Sequence, residues 1–146
     1  MEIAGTVSCL LSDKNPEIWS IKPDATVYEA IELMAEKNIG AVPVVERGKL
    51  LGMLSERDYA RKVILVGKSS KDTSVKQIMS PHPVTVSPSE TVGECMRLMT
   101  EKRVRHLPVM ERGNFVGILS IGDVVRWMIS AQSATIDHLT KYIYGE

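Results

Sequence analysis

An internal repeat constrains the fold of this 146-residue chain more than any other feature. Residues 21–64 align without a gap on residues 86–129. Both copies contain, in the same order, Pro-x-x-Thr-Val, Pro-Val, Glu-Arg-Gly and Gly-x-Leu-Ser-x-x-Asp. A weaker similarity precedes the copies, at residues 6–12 and 74–80; we call each of these stretches, with the residues that flank it and connect it to the next copy, a leading segment. Two long copies do not make a solenoid, so we expect the copies to pair through their apolar faces.

The composition fits one globular domain, or two small halves that share a core. Apolar residues make up 44% of the chain and aromatic residues only 5%, so the core must be aliphatic. The formal net charge is zero, which argues against a broad basic surface for nucleic acid. No apolar run approaches the roughly 18 residues of a membrane span, and the N-terminus lacks the features of a signal peptide.

Cysteine usage favours a reducing compartment. Cys9 and Cys95 cannot build a disulfide framework, and three scattered histidines do not complete a tetrahedral metal site. We therefore expect reduced thiols, no metal site and a cytoplasmic location.

Each copy has the pattern β-α-β-β-α, which predicts an α+β fold. Short first strands are predicted at Ile21 and at residues 84–86. Thr26 and Thr91 each precede a glutamate by three positions, which is typical of a capping box at the start of a helix. Apolar residues then recur at helical spacing.

The second half of each copy predicts a hairpin followed by a helix. Residues 41–54 and 106–119 each consist of two apolar segments around a four-residue turn that contains Gly. Ser55 and Ser120 begin the second helices. In the second copy, apolar positions continue toward the C-terminus, so its last helix is predicted to be the longer one.

The predicted organisation is two repeats and a linker. Residues 1–66 form the first repeat with its leading segment, and residues 74–146 form the second repeat with an extended C-terminal helix. Residues 67–73, Gly-Lys-Ser-Ser-Lys-Asp-Thr, are polar and lack periodicity, which is typical of a linker.

Two interpretations of the repeated Ser-x-x-Asp corner stay open. Ser55 with Asp58, and Ser120 with Asp123, can be plain capping boxes that stabilise each helix by about 1 kcal/mol. They can also bind a mononucleotide, because a helix N-terminus favours phosphate. An ionised aspartate accepts hydrogen bonds and donates none, which suits the two hydroxyls of a ribose.

The combined motifs resemble the CBS domain pair, or Bateman module. The resemblance covers nearly the whole chain, and it is strongest to stand-alone proteins that contain a single CBS pair. It implies two repeats related by a pseudo-twofold axis, with two clefts between them that bind adenosine nucleotides. AMP is the leading ligand, and ADP, ATP and NAD are alternatives.

The resemblance also implies roles for individual residues. Asp58 and Asp123 match the ribose-binding aspartate of the family, and Ser55 and Ser120 match its serine or threonine near the phosphate. Residues that match the adenine-facing first strand are Ile21, Lys22, Thr85 and Val86. Lys22 is more readily explained as a solvated side chain.

The copies differ in the segment that the resemblance places near purine and phosphate. Arg105 and His106 stand where the first copy has Gly40 and Ala41, and Arg57 has a glycine as its counterpart. We hypothesise that Arg57 and the Arg105-His106 pair converge on one nucleotide, which gives one dominant site and one weaker or empty site. The alternatives are solvated arginines and a half-buried, neutral histidine.

The function implied by the resemblance is regulation. A nucleotide sensor of energy or redox state would signal to a partner protein that the sequence does not identify. The protein is expected to form homodimers through its helices, with Tyr59, Trp127 and Met128 as candidate contacts. We find no nucleophile paired with a base and no phosphate loop, so we do not expect an enzyme. A ligand-free structural or protein-interaction module is the alternative.

Overall fold

The computed structural model describes residues 4–14 and 17–144. It has six α-helices, a π-helical segment and five strands within these residues. In chain order these are α1 (Val7–Ser12), α2 (Val27–Lys37), β1 (Ala41–Glu46), β2 (Lys49–Ser55), α3 (Glu56–Tyr59), the π-helical segment (Ala60–Ile64), α4 (Val75–Ile78), β3 (Ser80–Pro81), α5 (Val92–Lys102), β4 (His106–Glu111), β5 (Asn114–Ser120) and α6 (Ile121–Tyr144).

The predicted α+β fold is confirmed, with one difference in the first strand of each copy. Ile21 and Val86 each form a single parallel bridge, to Val44 and Val109 respectively, and do not extend into strands. The strands β1, β2 and β3 form one sheet, and β4 pairs with β5 in another. Among the described residues, no helix is both long and apolar enough to cross a bilayer.

The first leading segment hydrogen-bonds to the second copy. The Val7 N–H donates to the Glu90 carbonyl at 2.8 Å, and the Val92 N–H donates to the Gly5 carbonyl at 3.1 Å. These bonds satisfy backbone N–H groups at the starts of α1 and α5, which have no partner inside their own helices.

The second leading segment makes the equivalent contacts with the first copy. The Val75 N–H donates to the Ala25 carbonyl at 2.8 Å, and the Val27 N–H donates to the Thr73 carbonyl at 2.9 Å. Each copy therefore receives the leading segment that precedes the other copy in the chain.

Two compact units result from this exchange. Of the described residues, one unit comprises 4–14, 86–109 and 117–144, and the other comprises 17–85 and 110–116. The units do not follow chain order, because each leading segment belongs to the unit of the other copy. The repeat boundaries given above, and the axis relating the repeats, stay predictions.

The core of the unit that contains α2 is aliphatic. The α2 residues Val27, Ala30 and Met34 lie at helical spacing and are buried. They pack with buried side chains from β1, β2, the π-helical segment and α4, which are Val42, Val44, Leu54, Val63, Val75 and Ile78.

The other unit has corresponding buried residues, which come from the second copy and from α1. Buried hydrophobic residues of α1, α5, β4, β5 and α6 include Leu10, Val92, Cys95, Met99, Leu107, Leu119 and Val124. Burial is the main cause that raises the pKa of Cys95 to about 11, so this thiol stays protonated and serves as a small core residue.

The glycine of each repeated corner makes room for a leading segment. A methyl group on Gly52 would lie 2.7 Å from the Ser80 carbonyl oxygen and 2.9 Å from the Met79 Sδ. A methyl group on Gly117 would lie 3.1 Å from Leu11 Cδ2. The same motif position therefore has the same packing reason in both copies.

The first hairpin turn lies at the four predicted residues, Glu-Arg-Gly-Lys. The β1 strand ends at Glu46 and β2 begins at Lys49, so Arg47 and Gly48 are the two central residues of a four-residue β-turn. Arg47 has a φ of 52° and Gly48 has a φ of 77°. Positive φ at both central positions is typical of the type I′ turn, whose twist matches that of the flanking strands.

The second helices differ in length, as predicted. The four-residue α3 continues only through the π-helical segment, whereas α6 runs for 24 residues. The predicted linker carries defined contacts, because the Tyr28 N–H donates to the Ser70 carbonyl at 3.0 Å and the Thr73 hydroxyl donates to the Ser69 carbonyl at 2.7 Å.

Candidate functional site

Ser55 and Asp58 form a complete capping box at the start of α3. The Asp58 N–H donates to Ser55 Oγ at 3.1 Å, and the Ser55 N–H donates to Asp58 Oδ2 at 2.9 Å. The Ser55 hydroxyl donates to the same Oδ2 at 3.0 Å. The cap therefore uses one of the two carboxylate oxygens.

The other oxygen of Asp58 is weakly held. Lys62 Nζ lies 3.3 Å from Asp58 Oδ1, and the Ser80 hydroxyl lies 3.4 Å from it. Strong charge-assisted hydrogen bonds are shorter, at about 2.7–2.9 Å. The Lys62 ammonium also donates to the Ile78 carbonyl at 3.0 Å, which is its shorter contact. The contacts of Asp58 Oδ1 are therefore long ones, which a competing donor can replace.

Ser120 and Asp123 form the equivalent box at the start of α6. The Asp123 N–H donates to Ser120 Oγ at 3.1 Å, and the Ser120 N–H donates to Asp123 Oδ2 at 2.8 Å. Here two cations also bind the carboxylate. Lys14 Nζ lies 2.7 Å from Oδ2, and Arg126 Nη2 lies 2.6 Å from Oδ1. Both oxygens of Asp123 are thus engaged at short distances.

The electrostatics of this corner follow from these contacts. Burial opposes ionisation of Asp123, but hydrogen bonds from Lys14 and Ser120 outweigh it and lower the pKa of Asp123 below its usual value. Burial is also the main cause that lowers the pKa of His106, and the positive charge of Lys14 adds to it. His106 is consequently neutral at pH 7.

Among the predicted positions of the first copy, Gly40 and Ala41 adjoin the Ser55–Asp58 corner through the backbone, and Ile21 adjoins β1. The Gly40 carbonyl accepts from the Glu56 N–H at 3.1 Å, and Ala41 pairs with Ser55 across the hairpin. Ile21 donates its N–H to the Pro43 carbonyl at 3.0 Å. Lys22 and Arg57 of the first copy are exposed, and so is Thr85 of the second copy.

The predicted positions of the second copy show the same backbone arrangement. The Arg105 carbonyl accepts from the Ile121 N–H at 2.8 Å, and the Val86 N–H donates to the Pro108 carbonyl at 3.0 Å. Val86 is buried, His106 is half-buried and the Arg105 side chain is exposed. The hypothesis that Arg57 converges with Arg105 and His106 on one nucleotide stays a prediction.

Sequence reasoning missed the leading-segment residues at both corners. Lys14 reaches Asp123 across 109 positions of the chain, and Ser80 reaches Asp58 across 22. Neither contact has a local signal, because it depends on which copy receives which leading segment. Arg126 pairs with Asp123 one turn earlier, a spacing at which opposite charges on a helix commonly meet.

A cavity adjoins the Asp123 corner. Its volume is about 430 Å³, and its lining combines charged, polar and apolar side chains. They are Leu10, Asp13, Lys14, Asp123, Arg126, Trp127 and Ser130.

Comparison with known proteins identifies the family. The sequence matches the CBS domain family twice, over residues 11–65 and 75–130. The chain belongs to the CBS-domain family. The resemblance noted from the repeated motifs is thereby confirmed.

Known CBS-domain proteins are similar over most of the chain. The mitochondrial CBS domain-containing protein CBSX3 of Arabidopsis thaliana is 42% identical over 127 residues, which are 84% of this chain and 62% of that protein. This chain therefore matches less than two thirds of the length of CBSX3.

Solved CBS-domain structures share the fold. A protein with CBS domains from Burkholderia ambifaria is 46% identical, with a TM-score of 0.84 and coverage of 88% of this chain and 96% of that one. The structure of CBSX2 in complex with AMP is 28% identical, with a TM-score of 0.75 and coverage of 88% and 99%.

Proposed function

We propose that this protein is a regulatory module that binds an adenosine nucleotide, with AMP as the preferred ligand. The carboxylate of Asp58 carries the proposal. Its Oδ2 is the only carboxylate oxygen that the capping box uses, while its Oδ1 has contacts of 3.3 and 3.4 Å in the described structure. The hydroxyls of a ribose can therefore bind Oδ1 without breaking the cap.

The family supports this choice of ligand. CBSX2, which shares the fold at 28% identity, forms a complex with AMP. The choice among AMP, ADP, ATP and NAD belongs to the proposal, as do the adenine and phosphate contacts assigned above by resemblance.

The experiment measures binding directly. The purified protein is denatured and the released small molecules are identified by mass spectrometry, and refolded or nucleotide-free protein is titrated with AMP, ADP, ATP and NAD by calorimetry. Thermal melts give a second readout, because ligand at 100 times its Kd stabilises the folded state by about 2.7 kcal/mol. Absence of co-purified nucleotide, together with no heat and no thermal shift at millimolar concentrations, contradicts the proposal.

A ligand-free interaction module is the second candidate function. The observation that favours it is the completeness of both capping boxes, since each aspartate already stabilises a helix start. The same titration separates the candidates, because capping boxes alone give no nucleotide-dependent stabilisation.

We propose that regulation occurs by a population shift. A nucleotide shifts an equilibrium only when it binds one arrangement of the protein more tightly than the other. A separate protein partner would detect the favoured arrangement. Catalysis is not part of the proposal.

We further propose a homodimer whose contacts include α6. Exposed apolar residues recur on this helix at seven-residue spacing, at Ile129, Ile136 and Ile143, with Leu139 between the last two. A stripe of this period is typical of helices that pair with a like helix. Trp127, a contact expected from the sequence, instead donates to the Ala4 carbonyl at 2.8 Å.

The other two expected dimer contacts, Tyr59 and Met128, are partly buried within the chain itself. Tyr59 packs against the core of its own unit, and Met128 is half-buried. The exposed stripe of α6 is therefore the better candidate surface. A cytoplasmic location also stays part of the proposal, supported by the free cysteines Cys9 and Cys95.

A further inference from the structure

The Lys14 ammonium occupies the acceptors of the Asp123 corner. It donates to Asp123 Oδ2 at 2.7 Å and to the Ile118 carbonyl at 2.6 Å. The Lys14 side chain is 27% exposed and that of Asp123 is 6% exposed. Two of the three donors of the ammonium are thus used at one partly buried point.

These contacts compete with a ribose that binds the carboxylate through both hydroxyls. Oδ2 accepts from the Ser120 N–H at 2.8 Å as well as from Lys14, which uses both of its lone pairs. Arg126 holds Oδ1 at 2.6 Å. One acceptor site of Oδ1 stays free, so a ribose that binds through both of its hydroxyls must displace one of these donors. Displacing Lys14 also loses the Coulomb attraction between two opposite charges, which a neutral hydroxyl does not replace.

The Asp58 corner has no equivalent cation from its leading segment. When residues 74–80 are aligned on residues 6–12, the next positions place His82 opposite Lys14. Of that segment, the described contact with Asp58 comes from the neutral hydroxyl of Ser80, at 3.4 Å. The asymmetry between the corners therefore originates in the leading segments.

We propose that Lys14 determines which corner binds nucleotide, by competing with ribose for Asp123. The inference rests on the proposed nucleotide binding and specifies its stoichiometry. The protein then binds one nucleotide per chain, at Asp58. The Asp123 corner opens only when Lys14 is released, and the adjoining cavity of about 430 Å³, lined by both residues, provides space beside the freed carboxylate.

The size of the effect follows from the fraction of time that the corner is open. Apparent affinity falls in proportion to the population of the competent state, so an open fraction of about 0.1–0.01 weakens binding roughly 10- to 100-fold. Removing the ammonium should therefore tighten the second site by at least about tenfold.

The test is calorimetric titration of AMP into nucleotide-free wild type and the Lys14→Met variant, in which an unbranched apolar chain replaces the lysine stem. We expect one site per chain in the wild type and two in Lys14→Met. Adding Asp123→Asn to Lys14→Met should remove the second site and leave the first. Lys76→Met is the matched control, because Lys76 is a leading-segment lysine whose ion pair with Asp24 is exposed.

The outcomes distinguish failure of the Lys14 inference from failure of the proposed AMP binding. One unchanged site in Lys14→Met overturns the inference while leaving the proposed function intact, and loss of the wild-type site shows that Lys14 is a ligand contact and also overturns it. If no variant binds AMP, the proposed AMP binding fails and the inference fails with it. Should Lys14→Met unfold, Lys14→Gln, which also lacks the charge, carries the same expectation of two sites.

Discussion

The two corner glycines provide a quantitative test of how the leading segments pack. We predict that Gly52→Ala destabilises the protein by about 2–3 kcal/mol, at the upper end of the range for overpacked sites. The added methyl group would meet the Ser80 carbonyl oxygen at 2.7 Å, and a backbone atom held in a strand pair cannot easily move away.

The equivalent Gly117→Ala change should cost less, about 0–1 kcal/mol, below the usual overpacking range because its obstacle can move. Its methyl group would meet Leu11 Cδ2 at 3.1 Å, and this side-chain end can rotate. Gly93→Ala is the control, because nothing lies within 4 Å of the new methyl group and Gly93 lies in a helix. That change should stabilise by a few tenths to about 1 kcal/mol.

Urea denaturation followed by circular dichroism gives the three free energies of unfolding. Thermal melts provide a second measure, with about 2–4 °C expected per kcal/mol for a chain of this size. A second substitution separates the two causes. Leu11→Ala should relieve the Gly117→Ala strain, whereas Met79→Ala should leave most of the Gly52→Ala strain, because the Ser80 carbonyl remains. Equal costs for both glycines, or full relief by Met79→Ala, would refute the reasoning.

Three further predictions concern the site and the assembly. Asp58→Asn should weaken AMP binding more than tenfold while Asp123→Asn weakens it little, as measured by calorimetry; equal losses would contradict a single dominant site. Because the pKa of Asp123 is lowered on folding, its contribution to stability is present above its unfolded pKa and is lost as pH falls through the folded value. Asp123→Asn should therefore lose less stability than the wild type when urea denaturation is repeated from pH 5 down to pH 3, and parallel curves would exclude this role. Ile136→Glu should convert the proposed dimer to a monomer in light scattering, whereas Lys141→Glu, away from the apolar stripe, should not.

The features that the sequence predicted well are those with local causes. The Thr26 hydroxyl accepts from the Glu29 N–H at 3.1 Å, as the capping pattern predicts, and α2 ends before Asn38 in the left-handed conformation. The repeat also predicted that both copies have the same elements, since equal sequences favour equal local structure. A full capping box also needs the glutamate side chain to accept a hydrogen bond from the threonine N–H. In the second copy the Glu94 side chain pairs with Arg97 instead.

The features that escaped the sequence depend on distant residues. The strand predicted at Ile21 is a single bridge to Val44 among the described residues, because strand length depends on how many residues of the partner lie alongside. Lys14 has no pattern that relates it to Asp123, because the contact exists only after the leading segments are exchanged. The sequence thus predicted a pair of Ser-Asp corners. It did not predict that the aspartates of the two corners would have different cationic partners.

The exchange of leading segments has a consequence for how the chain can be divided and how it folds. Cutting at residues 67–73 would leave Val75 on one fragment and its partner Ala25 on the other, so neither fragment would contain a complete compact unit. The bond from Val7 to Glu90 closes a loop of more than half the chain, and contacts of such high sequence separation slow folding. Neither copy should therefore be stable without the other. We expect the two separated fragments to fold only when they are mixed, and the intact chain to unfold in a single transition.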